Sequence, residues 1–172
     1  VTGGTRGIGR ATVTAFLAAG ARVAVNGRTG ASTTAAIAAL GSPAKLVPAP
    51  GNVATEAGCK AIVAAAIAGL GGLDILVNCA GIGTAAAIEE VTEAFWDDML
   101  GVNLKGGFCC TRWALPAVRE RRCNVVDLAS DSGLMGDLGA GVVYSASKGG
   151  LVNMTRAMAL ELAPEVRVNS VC

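Results

Sequence analysis

A tyrosine and a lysine one helical turn apart are the residues in this chain best suited to acid–base chemistry. Tyr144 and Lys148 belong to the segment Tyr-Ser-Ala-Ser-Lys, and a spacing of four residues places both side chains on one face of a helix. A tyrosine side chain normally has a pKa of about 10, and a neighbouring ammonium group lowers that pKa by stabilising the phenolate. The pair can then act as general acid towards a carbonyl oxygen or as general base towards an alcohol. The pattern is weak by itself, because most such pairs are ordinary surface residues.

A serine at the end of a predicted strand is the second candidate for chemistry. Ser130 directly follows the apolar run Asn124–Ala129, and parallel sheets bind their ligands at the carboxyl ends of the strands. A hydroxyl group there can donate a hydrogen bond to a substrate carbonyl and stabilise the charge that develops on it. Ser132 is a competing candidate, and either serine can instead be a plain loop residue or a helix cap.

The chain opens on a glycine-rich segment, TGGTRGIG at positions 2–9, that leads into a predicted helix. Glycine lets the backbone approach a pyrophosphate group closely, and the helix N-terminus offers free N–H groups to the phosphates. The spacing G-x-x-x-G-x-G differs from the commoner dinucleotide fingerprint, so a loop without a ligand is the alternative. The segment predicts a dinucleotide site formed by Gly3, Thr5, Arg6, Gly7, Ile8 and Gly9.

The end of the first strand after this loop bears on which nicotinamide cofactor binds. In dinucleotide-binding folds an acidic residue at this point binds the ribose 2′-hydroxyl of NAD, whereas an arginine accommodates the 2′-phosphate of NADP. The segment Val25–Thr29 contains no carboxylate and carries Arg28, and Arg6 in the glycine loop can reach the same phosphate. We therefore expect NADP(H) to be favoured over NAD(H), although two solvated arginines at loop tips would give the same pattern.

Short apolar runs alternate with longer helical patterns along the whole chain. This alternation predicts an α/β fold: a doubly wound parallel sheet of the Rossmann-like type, in three α/β/α layers, with a single domain spanning residues 1–172. The predicted strands are Arg22–Asn26, Leu46–Pro48, Leu73–Asn78, Asn124–Ala129 and Val166–Val171. The predicted helices are Gly7–Ala19, Ala31–Leu40, Glu56–Leu70, Thr92–Arg119 with a break, and Tyr144–Ala163.

The composition argues against several other classes of function. The chain has 172 residues, of which 52% are hydrophobic, and its formal net charge is +1 without a basic patch, so we expect no nucleic-acid partner. No apolar run reaches the ~18 residues that a membrane span requires, so we expect no membrane partner. Six cysteines without a C-x-x-C pair and without any histidine argue against a metal site and predict reduced thiols in a cytoplasmic protein.

Taken in order, the motifs resemble those of the short-chain dehydrogenase/reductase family. Each motif is weak to moderate by itself, whereas the ordered set covers nearly the whole chain and is highly specific. The resemblance implies an oxidoreductase that transfers a hydride between a nicotinamide cofactor and a carbonyl or secondary alcohol substrate. The set comprises Gly3, Gly7 and Gly9, the segment Asn78-Cys79-Ala80-Gly81, and then Asn103, Ser130, Tyr144 and Lys148.

The resemblance also implies a role for each residue. Tyr144 would be the acid/base, Ser130 would orient the substrate oxygen, and Lys148 would lower the pKa of Tyr144 and bind the nicotinamide ribose. Asn103 would lie at a main-chain bend that holds a water molecule of a proton relay. Further contacts to the cofactor would come from Asn52, Val53, Asn78, Ala80, Gly81, Tyr144 and Lys148.

Departures from the family pattern affect these expectations. Asn52 stands where the family usually has an aspartate that contacts adenine, so we expect an altered contact and no loss of binding. Ser130 lies fourteen residues before Tyr144, one more than is common, and the S-x-x-G pattern through Gly133 favours Ser130 over Ser132. The resemblance further implies that most of the family's first strand and its C-terminal substrate-binding loop are missing from these residues.

Several activities and an assembly are compatible with this resemblance. Candidate substrates are a 3-oxoacyl thioester, a sugar or polyol, and a xenobiotic ketone. The alternative to catalysis is a dinucleotide-binding module without turnover, or an inactive fragment of such an enzyme. The segments Phe95–Val118 and Ser145–Leu162 resemble the family's long helices that pair between subunits, so we expect a homodimer or homotetramer. The apolar stripe expected to support this pairing consists of Leu151, Met154, Ala157 and Met158.

Overall fold

Strands and helices alternate along the chain in the predicted order. The computed structural model describes residues 1–41 and 43–172. Its strands are β1 (Val23–Val25), β2 (Leu46–Pro48), β3 (Ile75–Asn78), β4 (Asn124–Leu128) and β5 (Arg167–Val171). Its α-helices are α1 (Gly7–Ala18), α2 (Gly30–Ala39), α3 (Glu56–Leu70), α4 (Glu93–Leu100), α5 (Gly106–Glu120) and α6 (Val142–Leu162).

All strand pairs that form in the described residues are parallel. Strand β1 pairs with β2, while β4 lies between β3 and β5. Residues Val1 and Thr2 connect these two groups: the Val1 nitrogen donates to Ala24 O at 2.9 Å and the Thr2 N–H donates to Val77 O at 2.9 Å. The two groups therefore lie in one layer, joined at the carboxyl ends of β1 and β3. Farther from this end, an apolar cavity of about 300 Å³ separates the two strands.

Helices cover both faces of this layer, because successive side chains of a buried strand point to opposite sides. Val23 and Val25 of β1 pack with Val13 of α1 on one face. Ala24 lies between them in sequence and packs into the larger cluster on the other face, to which α3 and α5 contribute Ile62, Val63, Cys110, Ala114 and Val118. This arrangement gives the three α/β/α layers that the sequence pattern predicts.

The predicted boundaries differ from the observed ones mainly at the strands and in the longest helical segment. Strands β1, β3, β4 and β5 are shorter than their predicted runs, since only the residues paired in the ladder count as strand, whereas β2 has the predicted bounds. The break expected within 92–119 is a five-residue π-helical turn, Gly101–Lys105, between α4 and α5. Helix α6 begins at Val142, two residues before Tyr144, so Tyr144 lies within the first helical turn.

None of the helices in the described ranges is long and apolar enough to cross a membrane.

Candidate active site

A cleft of about 1240 Å³ lies at the carboxyl ends of the strands. Ligands of open parallel sheets bind in this place because the loops that leave the strands converge there. The cleft is larger than the roughly 300–1,000 Å³ typical of small-molecule pockets, which suits an extended ligand together with a second one. It is lined by every predicted site residue except Asn78 and Asn103: Gly3, Thr5, Arg6, Gly7, Ile8, Gly9, Arg28, Asn52, Val53, Ala80, Gly81, Ser130, Tyr144 and Lys148.

The glycine loop brings backbone into the cleft at the start of α1. Gly3 has a φ of 63°, in the left-handed region that favours glycine, and a Cβ atom at Gly9 would clash with the Gly3 carbonyl oxygen. Arg6 is the N-cap residue of α1, and its side chain makes no capping hydrogen bond. The first N–H groups of the helix are therefore free of a side-chain cap and suit the pyrophosphate of a dinucleotide.

Two buried polar side chains that the sequence pattern did not single out hold the loops of the cleft. Asn26 accepts a hydrogen bond from Gly3 N at 3.1 Å and donates to Ala49 O at 2.9 Å and Gly51 O at 3.1 Å. The Thr2 hydroxyl accepts from Cys79 N and Ala80 N, both at 3.0 Å. A polar residue at the end of a buried strand was the available signal for Asn26.

The outer end of the cleft carries positive charge. Arg6 and Arg28 are exposed at its edge. The ion pairs formed by residues 1–41 and 43–172 join Glu56 to Arg112, Asp74 to Arg121 and Glu165 to Arg119, so neither cleft arginine is paired with a carboxylate. Arg6 and Arg28 can therefore bind an additional phosphate group.

Asn52 also lies at this outer end, where the resemblance implies a contact to adenine. Its Oδ1 atom accepts a hydrogen bond from Ala54 N at 3.0 Å, while the residue remains exposed. The amide nitrogen of Asn52 is the group that remains to contact a ligand. The following residue, Val53, is buried and also lines the cleft.

The opposite end of the cleft brings Ser130, Tyr144 and Lys148 together. The ammonium group of Lys148 lies 5.7 Å from the centre of the Tyr144 ring and donates a 2.7 Å hydrogen bond to Leu128 O. Lys148 is only 5% exposed, and this burial lowers its pKa. An ammonium group, a phenol and a serine hydroxyl on one wall can position a carbonyl or alcohol and exchange a proton with it.

The structure separates the two candidate serines. Ser130 is half-buried and lines the cleft beside Tyr144, and its hydroxyl donates to Asp131 Oδ1 at 2.9 Å. Ser132 is buried outside the lining, where its hydroxyl donates to Asp137 Oδ2 at 3.2 Å. The geometry therefore favours Ser130 as the serine that meets a ligand.

Asn103 lies behind the cleft wall, within the π-helical turn. Its side chain accepts from Ile82 N at 2.8 Å and donates to Ile82 O at 2.9 Å and to the Ser147 hydroxyl at 3.1 Å. The Ser147 hydroxyl in turn donates to Tyr144 O at 2.7 Å. Asn103 thus joins the main-chain bend to the first turn of α6, which carries Tyr144.

Asn78 likewise lies beneath the cleft, next to an acidic residue that the sequence pattern did not single out. Asp127 of β4 is fully buried and accepts from Asn78 Nδ2 at 2.9 Å and from the Thr155 hydroxyl at 2.8 Å. Burial raises the pKa of Asp127, while the hydrogen bonds from Asn78 and Thr155 and the charge of Lys148 act in the opposite direction. A lone acid in the apolar run of β4 was the signal in the sequence.

Comparison with known proteins agrees with this geometry. The chain is 35% identical to the 3-oxoacyl-(acyl-carrier-protein) reductase FabG of Thermotoga maritima over 174 residues, covering 99% of this chain and 70% of the relative. It is 35% identical to the D-beta-hydroxybutyrate dehydrogenase of Cupriavidus necator over 175 residues, covering 100% of this chain and 67% of the relative.

A solved structure described as a short-chain dehydrogenase/reductase, glucose/ribitol dehydrogenase, from Brucella melitensis superposes with a TM-score of 0.91 at 37% identity. The superposition covers 98% of this chain and 70% of that one. The family model for short chain dehydrogenases matches residues 1–172. The match along these residues, the relatives and the shared fold lead to one conclusion: the chain belongs to the short-chain dehydrogenase/reductase family of oxidoreductases.

Proposed function

We propose that this chain is the dinucleotide-binding and catalytic domain of an NADP(H)-dependent enzyme that interconverts a carbonyl compound and a secondary alcohol. The observation that carries the proposal is the single cleft that holds the glycine loop at one end and Ser130, Tyr144 and Lys148 at the other. The bound cofactor supplies or accepts the hydride, and the protein positions the substrate and exchanges the proton.

In this proposal Ser130, Tyr144 and Lys148, which form the catalytic end of the cleft, have distinct tasks. Tyr144 Oη donates a proton to the carbonyl oxygen in reduction and takes it back in oxidation. The Ser130 hydroxyl donates a hydrogen bond to the same oxygen and stabilises its developing charge. The Lys148 ammonium group stabilises the negative charge that develops on Tyr144 Oη as the proton leaves, and it binds the ribose next to the nicotinamide.

Asn103 has an indirect task in the same proposal. Its hydrogen bonds to Ile82 and Ser147 support the main-chain bend at which a water molecule can pass protons towards Lys148. Asn78, Ala80 and Gly81 complete the wall along the cofactor.

The preference for NADP(H) over NAD(H) rests on charge at the outer end of the cleft. Arg28 follows β1 where NAD-dependent enzymes carry an acid, and neither Arg28 nor Arg6 has a carboxylate partner in the described ranges. Both side chains can then bind the 2′-phosphate of NADP. Titration of the protein with NADPH and with NADH, followed by nicotinamide emission, tests the preference directly.

The proposed chemistry is tested by replacing Tyr144 with phenylalanine. Loss of a positioned general acid typically lowers turnover about 10²–10⁴-fold, and the substitution keeps the ring that packs in the cleft. We therefore expect Tyr144→Phe to bind NADPH like the wild type and to lose at least ~100-fold in ketone reduction. Unchanged turnover would contradict the mechanism, and NADPH binding without turnover in the wild type would favour a non-catalytic module.

Two features support a self-associating enzyme of the cytoplasm. A groove of about 760 Å³ between α4, α5 and α6 is lined in part by Leu100, Phe108, Met154 and Ala157, and we propose that a second copy of the chain covers it in a dimer or tetramer. Of the stripe expected from the sequence, Leu151 is buried against the sheet and Met158 packs on the core, so only part of the stripe faces outward.

All six cysteines are free thiols, which suits a protein of a reducing compartment such as the cytoplasm.

A further inference from the structure

A fully buried carboxylate lies one residue before the backbone group that anchors Lys148. Lys148 Nζ donates to the carbonyl oxygen of Leu128, and the preceding residue of β4 is Asp127. Asp127 points away from the cleft and into the helical layer, where Asn78 and Thr155 bind its two carboxylate oxygens. The carboxylate thus has two hydrogen-bond donors and forms no ion pair with any cation in residues 1–41 and 43–172.

The ammonium group of Lys148 shows the complementary situation. It is 5% exposed, and among residues 1–41 and 43–172 no carboxylate oxygen lies within the 4.0 Å of an ion pair. A buried charge without a counter-charge is costly, because the interior of a protein replaces little of the hydration that the charge loses. Of the acidic side chains near Lys148, Asp127 is the buried one, so its field is screened little by water.

We propose that Asp127 is a positioning residue that acts through Lys148, its buried carboxylate serving as the counter-charge that retains the ammonium group beneath the catalytic end of the cleft. The inference rests on the proposed role of Lys148. Asn78 and Thr155 hold the carboxylate in place from β3 and α6, and this arrangement explains why an acidic residue follows Val125 and Val126 in a buried strand.

The other groups that face Lys148 cannot provide the same charge. Cys79 after β3 and Cys172 after β5 are thiols, and burial raises the pKa of Cys79, which keeps it neutral near pH 7. Tyr144 lies one turn earlier on α6 and is the group on which Lys148 acts in the proposed mechanism. Among the described groups around Lys148, Asp127 is therefore the carboxyl group, and the hydrogen bonds from Asn78 and Thr155 favour its charged form.

The experiment follows the titration of Lys148 by NMR in the full chain with 13C-labelled lysine. The chain contains only Lys45, Lys60, Lys105 and Lys148, so four signals are expected, and Lys148→Arg assigns the one of interest. Asp127→Asn removes the charge but keeps the shape and an oxygen that accepts from Asn78. We expect this variant to lower the titration midpoint of Lys148 by about one pH unit and to shift the basic limb of the activity profile in the same direction.

A matched control separates charge from packing. Thr111→Val removes a hydroxyl that contacts Asn78 Nδ2 at 3.0 Å, so it disturbs the same buried network and leaves the Asp127 charge in place. We expect it to lower thermal stability without moving the Lys148 midpoint. An unchanged midpoint in folded Asp127→Asn, or equal shifts in both variants, would overturn the inference. The NMR midpoint needs no turnover, so failure of the proposed enzymatic activity would be recognised separately.

Discussion

At the scale of single residues, the groups that we propose for catalysis and for cofactor recognition lie at opposite ends of one cleft. The catalytic end combines a phenol, a hydroxyl and a buried ammonium group, whereas the outer end presents two exposed arginines and no acid after β1. The arginines can each be replaced without disturbing the core, because their side chains make no ion pair in the part of the chain that the structure describes. Cofactor preference should therefore be separable from stability.

Replacing Arg28 with alanine tests this separation. A charge-assisted hydrogen bond to phosphate typically contributes about 1.5–3 kcal/mol, so we expect NADPH affinity to fall at least about tenfold while NADH affinity stays unchanged. Isothermal titration with both cofactors measures the difference. Arg10→Ala is the control, because Arg10 is equally exposed on α1 but does not line the cleft. Equal losses of affinity for NADPH and NADH would show that Arg28 does not bind the 2′-phosphate.

At the scale of elements, the cleft depends on how closely the start of α1 approaches the loop before it. A Cβ atom at Gly9 would clash with the backbone of Gly3 and Gly4, which cannot move away as a flexible side chain could. The main-chain bend at Gly101–Lys105 is the second such element, since it turns Asn103 inward against Ile82 and Ser147. These two backbone features set the geometry of both ends of the cleft.

The close contact between Gly9 and the Gly3 backbone predicts that Gly9→Ala and Gly30→Ala have different effects on stability and cofactor binding. Gly9→Ala should lower the thermal midpoint and abolish tight cofactor binding, because the α1 N-terminus must move away from Gly3. Gly30→Ala at the start of α2 meets open space and should be neutral or stabilise the fold by about 0.5–1 kcal/mol. Thermal unfolding with and without NADPH measures both. Normal NADPH binding by Gly9→Ala would show that cofactor binding does not require the close approach of Gly9 to Gly3.

At the scale of the whole molecule, buried charge makes stability depend on pH. Burial raises the pKa of Asp127 above its ordinary 3.8, so the folded state binds that proton more tightly than the unfolded state. The stability that this proton contributes is therefore present below pH 3.8 and is lost as pH rises through the folded-state pKa. A network that serves the active site would in this way reduce the stability of the fold near neutral pH.

Asp127→Asn should remove this dependence. As pH rises above the ordinary Asp127 pKa of 3.8 and through its raised pKa in the folded state, we expect the free energy of unfolding of the variant to increase relative to that of the wild type. Urea unfolding at several pH values, followed by tryptophan fluorescence, gives the difference. A difference that stays constant with pH would mean that Asp127 does not titrate across this range in the folded protein.

The groove between α4, α5 and α6 gives a prediction about assembly. Ala157 is exposed in that groove, and an arginine there would place a charge in the proposed contact between copies. We expect Ala157→Arg to shift the protein to monomer at micromolar concentration in light scattering after size exclusion. Ala64→Arg on the exposed side of α3 is the matched control and should leave the assembly unchanged. A wild-type monomer would refute the proposed contact.

The sequence alone determined the order of elements, the fold class, the family, and the residue types that we propose for the chemistry. Those features depend on local periodicity and on short motifs, so Glu56–Leu70 and Leu46–Pro48 match the predicted bounds. Only the tertiary structure decided which residues meet. It placed Ser130 in the cleft and Ser132 outside it, turned Leu151 inward, and brought Asn26 and Thr2 to the loops that they hold.

Asp127 shows the physical reason most clearly. In the sequence it is one acid in an apolar run, with nothing nearby along the chain to explain its presence. Its partners come from β3 and α6, forty-nine residues before it and twenty-eight after it. How deeply a residue is buried and which charges surround it depend on its neighbours in space. Those neighbours are distant along the chain, and they meet only when the parallel strands and their crossover helices pack together.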